Sequence, residues 1–265
     1  MDNFLTDHVC LVTGGAQGLG WAISQALADH GATVHACDIS EENLARAGQD
    51  LASLPWGNRI VLARCDVAEQ AQMEGWIAQV YQNTGRIDVL VNNAAFVRWE
   101  DVTDMSVEEA VRTMRVGYDG MVYGIKAVLP LMLAAGRGHI VNVGSSAGRI
   151  FTGGSSAAYA AVKAAIDGYT QVLQGELRGS PVHAMLVRPA AIVGTDFFRK
   201  HVASTRMPRL ADFVPYVTPP QVARAIVRGI HDRRPILDIP GYLAGFYLLF
   251  TLAPGFLCWV MSRLI

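Results

Sequence analysis

The feature that most constrains this chain is a regular alternation of short apolar runs with longer stretches of helical period. The runs are HVCLVTGG from His8, ATVHACD from Ala32, RIVLARCD from Arg59, IDVLVNNAA from Ile87, HIVNVGSS from His139 and VHAMLVRP from Val182. Strands buried on both faces need nearly unbroken apolar sequence, and VCLV, VLVN and IVNV supply it. Between the runs, helices are expected over Gly18–His30, Glu41–Leu54, about Glu69–Tyr81, Ser106–Ala135, Ala157–Leu177 and Pro220–His231. Ser106 and Glu109 have the spacing of a capping box at the start of the long fourth helix. RPILDIP, at 234–240, offers an edge strand. Strand–helix alternation of this kind specifies a doubly wound parallel sheet with helices on both faces.

Composition narrows the function classes. The 265 residues suit one large α/β domain. Lys and Arg total 22 against 23 Asp and Glu, so the net charge is −1 and no basic patch calls for a nucleic-acid partner. Cys10, Cys37, Cys65 and Cys258 lack metal-ligand spacing, so no metal is expected, and they read as buried reduced thiols of a cytoplasmic protein. The N-terminus has an early Asp and no basic region, unlike a signal peptide.

The first strand runs into Thr13-Gly14-Gly15-Ala16-Gln17-Gly18-Leu19-Gly20 and then a helix. Glycines allow a sharp turn and close approach of a phosphate, and the helix start presents free N–H groups to an anion. Gly14, Gln17, Gly18, Leu19 and Gly20 are therefore candidate contacts to a dinucleotide. The spacing is G-x-x-x-G-x-G rather than G-x-G-x-x-G. Asp38, about 20 residues on, ends the second strand, where a carboxylate accepts from both ribose hydroxyls and repels a 2′-phosphate. No Lys or Arg stands in the glycine turn or directly after Asp38, so NAD is expected over NADP. The competing reading of Asp38 is a solvated strand end. Asp66 could accept from an adenine amino group or cap the next helix. Asn92, at a buried strand end beside a second Asn, needs hydrogen-bond partners.

Tyr159 and Lys163 stand four apart on an expected helix and share one face. An ammonium beside a phenol lowers the phenol's pKa from about 10. Such a phenol can take a proton from an alcohol as hydride leaves, or give one to a ketone. Ser145, ending the fifth strand, can orient the substrate oxygen.

In these features the sequence resembles the short-chain dehydrogenase/reductase family in its single-domain form. The matching motifs are TGGAQGLG, Asp38, CDV at 65–67, NNAA, VNVGSSAG, YAAVK and RPAAIVGTD, spanning about residues 8–196. The resemblance implies a three-layer, Rossmann-like fold of about seven strands and hydride exchange between NAD(H) and a secondary alcohol or ketone. It implies Ser145, Tyr159 and Lys163 as the catalytic set, with Lys163 also holding the nicotinamide ribose. It implies Asp66 and Val67 at adenine, Asn92 and Ala94 lining the cofactor, and the segment containing Pro189, Ile192 and Thr195 at the nicotinamide amide. A homodimer or homotetramer is also implied. Two positions depart from the family pattern. Gly117, in VGYDG, stands where an Asn is usual in the long helix, and Ala190-Ala191 replaces Pro-Gly.

The expected organisation is a catalytic domain over 1–235, with a substrate lid at about 195–219, and an apolar extension over 236–265. Phe197, Phe198, Phe213 and Tyr216 in the lid, and Phe96, Val97 and Trp99 after the fourth strand, suggest an apolar substrate. No Asp, Glu, Lys or Arg occurs from Ile239 to Ser262. Pro254-Gly255 breaks that run, and Trp259 and Arg263 suit a membrane interface. Over 241–265 three readings stand: a peripheral membrane anchor, an oligomer interface, and a wall of the substrate pocket. Two other functions fit the same fold: a non-catalytic nucleotide-binding regulator, and an epimerase or dehydratase.

Overall fold

The structure, a computed structural model, describes residues 3–151, 156–193, 216–257 and 259. The lid positions Thr195, Phe197, Phe198 and Phe213 lie outside the described residues, as do Cys258 and Arg263.

Seven strands form one parallel sheet: β1 (Val9–Thr13), β2 (Thr33–Asp38), β3 (Ile60–Arg64), β4 (Val89–Asn92), β5 (Gly138–Val143), β6 (Val182–Pro189) and β7 (Ile236–Ile239). Their spatial order is β3-β2-β1-β4-β5-β6-β7. The order reverses between β1 and β4, so a crevice opens beyond their carboxyl ends, where such sheets bind ligands. β7 pairs with β6 as the edge strand expected from RPILDIP, so the sheet runs past residue 235 into the stretch counted with the extension.

The helices are α1 (Gly18–Asp29), α2 (Glu41–Leu51), α3 (Gln70–Thr84), α4 (Val107–Met114), α5 (Gly120–Ala134), α6 (Ala157–Glu176), α7 (Pro219–His231) and α8 (Leu243–Leu252). One apolar cluster joins α1 and α7 to one face of the sheet, around Ile23, Leu27, Val222 and Ile226. A second joins α3, α5 and α6 to the other, around Met73, Ile77, Ile125 and Ile166. Cys10, Cys37 and Cys65 are buried and free. Among the described residues, no helix is long and apolar enough to cross a membrane.

The long helix expected over Ser106–Ala135 is not continuous. It starts at the Ser106–Glu109 capping box. A π-helical turn over Arg115–Asp119 then separates α4 from α5. Gly117 sits at the centre of that turn, buried. A Cβ there would lie 2.7 Å from Val162 Cγ2 on α6. The turn is wide enough to kink the helix, and the space a side chain would need is taken by a stiff, buried valine.

Candidate active site

The nucleotide end is built from the β1–α1 turn. Gly14 has φ +60°, and a Cβ there would press on Ala94 Cα at 3.0 Å. A Cβ on Gly20 would collide with the Gly14 carbonyl oxygen. These two contacts require glycine and leave the turn flush with the start of α1. Gln17 caps that helix through its extended backbone, Gln17 and Gly18 are exposed, and no acidic side chain stands in the first turn. Leu19 packs partly buried against the core. An anion can therefore approach the N-terminal dipole without meeting opposing charge.

Asp38 ends β2 and is buried. Its Oδ1 accepts from the Ser40 N–H at 3.0 Å, whereas Oδ2 has no partner among the described residues. A buried carboxylate oxygen without a donor is expensive, and a ribose hydroxyl would satisfy it. Arg64, in register with Asp38 on β3, is paired with Glu41 at 3.3 Å. These residues fit the ribose of a dinucleotide. Asp66 Oδ1 accepts from the Ala68 N–H at 3.0 Å, so it closes a turn, while Glu69 holds the N-cap of α3. Val67 is buried in the core beneath that turn.

Asn92 is buried at the end of β4 and has a hydrogen-bond partner there, as a polar side chain in that place needs. Its amide donates to Asn142 Oδ1 at 2.8 Å inside the sheet, and Asn142 in turn donates to Thr170 at 3.0 Å. Asn93 is the residue at the glycine turn, donating through Nδ2 to the carbonyls of Thr13 and Gly14 at 3.0 and 3.2 Å. Thr13 completes the junction by accepting from the N–H groups of Asn93 and Ala94. Side-chain alternation along β4 forces this division, since adjacent residues face opposite ways.

At the candidate catalytic end, β5 delivers Ser145 and α6 delivers Tyr159 and Lys163. Ser145 Oγ accepts from the Ala147 N–H at 3.1 Å, which fixes the hydroxyl at the head of a short 3₁₀ turn. The Tyr159 hydroxyl hydrogen-bonds to Ser145. Lys163 is 3% exposed and donates to the Val143 carbonyl at 2.7 Å. Its Nζ lies 5.6 Å from the Tyr159 ring centroid. The three side chains thus meet as expected, but the electrostatics differ from the sequence reading. Burial pushes the Tyr159 phenol up to about 12, with the Ser145 hydrogen bond a smaller opposing influence. Burial also brings Lys163 down to about 8. The ammonium donates to a backbone carbonyl, and burial keeps the phenol protonated at neutral pH.

Trp99 packs on Tyr159, with ring centroids 5.6 Å apart at 45°. Val97 is buried, and Phe96 lies under the Arg112 guanidinium. Pro189 ends β6, and Ile192 bridges to Val217, which places this segment beside the carboxyl ends of β6 and β7.

One feature was not legible from the motifs. Arg188, buried in β6, pairs with Asp167 on α6 at 2.5 Å and reaches Asp238 on β7 at 3.5 Å. This ties the helix carrying Tyr159 and Lys163 to the strand end beside it. The one available signal was a lone arginine inside an apolar strand.

A profile of the short chain dehydrogenase family matches residues 8–205. The 3-oxoacyl-[acyl-carrier-protein] reductase FabG of Thermotoga maritima is 36% identical over 188 residues, covering 71% of this chain and 75% of the relative. The oxidoreductase UcpA of Salmonella typhimurium is 34% identical over 188 residues, covering 71% and 70%. A Burkholderia phymatum short chain dehydrogenase/reductase in complex with NAD superposes with a TM-score of 0.82 at 23% identity, covering 96% of this chain and 95% of that one. An actinorhodin polyketide ketoreductase with NADPH gives 0.79 at 28% identity, covering 89% and 97%. The family match over residues 8–205, together with the sheet order, the glycine turn and the Ser145–Tyr159–Lys163 cluster, shows that the chain belongs to the short-chain dehydrogenase family of nucleotide-binding oxidoreductases.

Proposed function

We propose that this protein is a ketoreductase or secondary-alcohol dehydrogenase using NAD(H). The observation that carries the reading is the hydrogen bond between the Tyr159 hydroxyl and Ser145, with Lys163 one helical turn away. A bound nicotinamide supplies or accepts the hydride. Ser145 donates a hydrogen bond to the substrate carbonyl oxygen and holds it against Tyr159. Tyr159 gives its phenolic proton to that oxygen as the carbonyl carbon is reduced. Lys163 holds the nicotinamide ribose and keeps positive charge beside the phenol while it is ionised. Gly14, Gln17, Gly18, Leu19 and Gly20 cradle the diphosphate, and the segment from Pro189 to Thr195 faces the nicotinamide amide. Asp66 and Val67 border adenine, and Ala94 lines the cofactor.

Asp38 makes NAD the preferred cofactor, because its unpartnered oxygen takes a ribose hydroxyl and its charge rejects a 2′-phosphate. The reading includes an apolar substrate, for which Trp99 on Tyr159 is the support. The name of the Thermotoga relative makes 3-oxoacyl thioesters the first compounds to assay. The catalytic unit is a homodimer or homotetramer in a cytoplasmic setting.

The test is NADH fluorescence on binding, followed by turnover with 3-oxoacyl thioesters and a panel of apolar ketones. Binding with reduction of at least one ketone is expected. Binding with no turnover across the panel would instead indicate a nucleotide-binding regulator.

A further inference from the structure

We infer that a cavity at the base of the sheet, opposite the nucleotide crevice, is a second ligand site that takes a small organic carboxylate. The cavity measures about 220 Å³ and opens where the chain enters β1, β4, β5 and β6. That is below the roughly 300–1,000 Å³ of pockets for drug-sized molecules, so the room suits a small acid. Phe4, Leu5, Pro181 and Ile230 give it an apolar lining, and His139, His183 and Arg233 stand among them. His139 and His183 are register partners on β5 and β6, with ring centroids 6.0 Å apart.

The charge of the occupant follows from which groups are already paired. Asp88 accepts twice from Arg86 at 2.8 Å, from Arg137 at 2.9 Å and from the Val9 N–H at 2.8 Å, so its four acceptor positions are taken and none is left for a cation. Asp88 and the neighbouring Asp7 together balance Arg86 and Arg137. Among the described residues, no three His, Cys, Asp or Glu side chains converge as metal ligands, and no ion pair holds Arg233. His139 is 6% exposed, and its Nε2 has no hydrogen-bond partner. A buried polar atom left so is costly, and a ligand that bonds to the ring removes the cost. Burial, then the charges of His183 and Arg233, bring His139 down to about 4, and burial and Arg233 lower His183 as well. Both rings are therefore neutral at pH 7 and offer N–H donors, whereas Arg233 carries one full positive charge. One guanidinium with two neutral donors matches a carboxylate. A phosphate dianion would keep uncompensated charge.

The backbone supports the same assignment. Among the described residues, the non-glycine positions with left-handed φ are Asp7 at 64° and Arg233 at 52°. Asp7 directly precedes His8 of the cavity wall, and Arg233 is itself part of that wall. Arg233 closes α7 where glycine is the usual residue: its N–H reaches the Ile230 carbonyl at 3.2 Å, and the Arg234 N–H reaches the Gly229 carbonyl at 2.9 Å. An arginine strains that turn more than glycine would. Its guanidinium at the cavity mouth, beside two imidazoles, is what the strain secures.

The test is titration of the full-length protein with benzoate at pH 7 and constant ionic strength, followed by NMR of the imidazole nitrogens. The His139 and His183 signals should shift and saturate, while that of His35, outside the cavity, stays in place. Benzamide has the same body without the charge, and acetate has the charge without the body. Each should bind about tenfold more weakly than benzoate, and inorganic phosphate should also bind more weakly. Arg233→Gly should lower benzoate affinity about tenfold without lowering the Tm, because glycine suits the turn. NADH binding, followed by fluorescence, should be unchanged in that variant, which shows that the fold is intact. Histidine signals that do not move in benzoate would overturn the inference. So would equal binding of benzoate and benzamide, tighter binding of phosphate, or wild-type affinity in Arg233→Gly.

Discussion

Lys163 should make the folded protein less stable at neutral pH, and replacing it should reveal the trade. Burial takes the ammonium from 10.5 to about 8. At about 1.36 kcal/mol per pH decade, that places roughly 3 kcal/mol against the folded state while the lysine is charged in both states. The folded pKa is the lower one, so between pH 8 and 10.5 the unfolded chain binds more protons, and stability rises with pH through that window. Lys163→Met removes the buried charge but leaves the Val143 carbonyl without its donor, a loss of about 1–2 kcal/mol. The net expectation at pH 7 is a gain of about 1–2 kcal/mol, or a Tm higher by about 2–8 °C. At pH 10.5 the gain should vanish or reverse, because the neutral amine still reaches the carbonyl. Thermal unfolding of cofactor-free wild type and variant at both pH values measures this, with turnover followed in parallel and expected to be lost. A variant that is less stable at pH 7 by the same margin as at pH 10.5 would refute the argument.

The remaining predictions concern the same site. Gly117→Asn should destabilise the protein by about 1–3 kcal/mol and lower activity, because the new side chain meets Val162, and adding Val162→Ala should restore part of both in unfolding and rate measurements. Asp38→Ala should raise the KM for NAD about tenfold or more and shift the NADP-to-NAD ratio of kcat/KM upward, read from steady-state kinetics with each cofactor. Because burial holds the Tyr159 phenol near 12, alcohol oxidation should rise about tenfold per pH unit from 6 toward 8, below the point where Lys163 loses its charge, whereas ketone reduction should not rise. A flat oxidation profile across that range would show that another group carries the proton.

The sheet and its order of motifs were open to a sequence reader because buried parallel strands must be apolar and their ligand-facing ends must not be. The glycine turn, Asp38, Ser145, Tyr159 and Lys163 all stand at such ends or on the helix directly after one. What was hidden depends on facing and on three-dimensional neighbours. Asn92 and Asn93 look alike in the sequence, and only the strand's alternation turns one into the sheet and the other to the turn. Gly117 was recognisable as a departure, but not that Val162 fills the space beside it. Helical spacing places Tyr159 and Lys163 on one face but does not show how deeply the phenol is buried, and burial is what raises its pKa. The Lys163 ammonium donates to the carbonyl of Val143, a residue 20 positions away in the chain.

The most direct measurement is single-turnover hydride transfer by Tyr159→Phe, monitored as loss of NADH absorbance with whichever ketone the wild type reduces. The variant keeps the ring packed on Trp99 and loses only the hydroxyl. Nicotinamide-ring chemistry with Tyr159 as proton donor requires NADH binding within about twofold of wild type and transfer slower by about 10²–10⁴-fold. Transfer at the wild-type rate would contradict it.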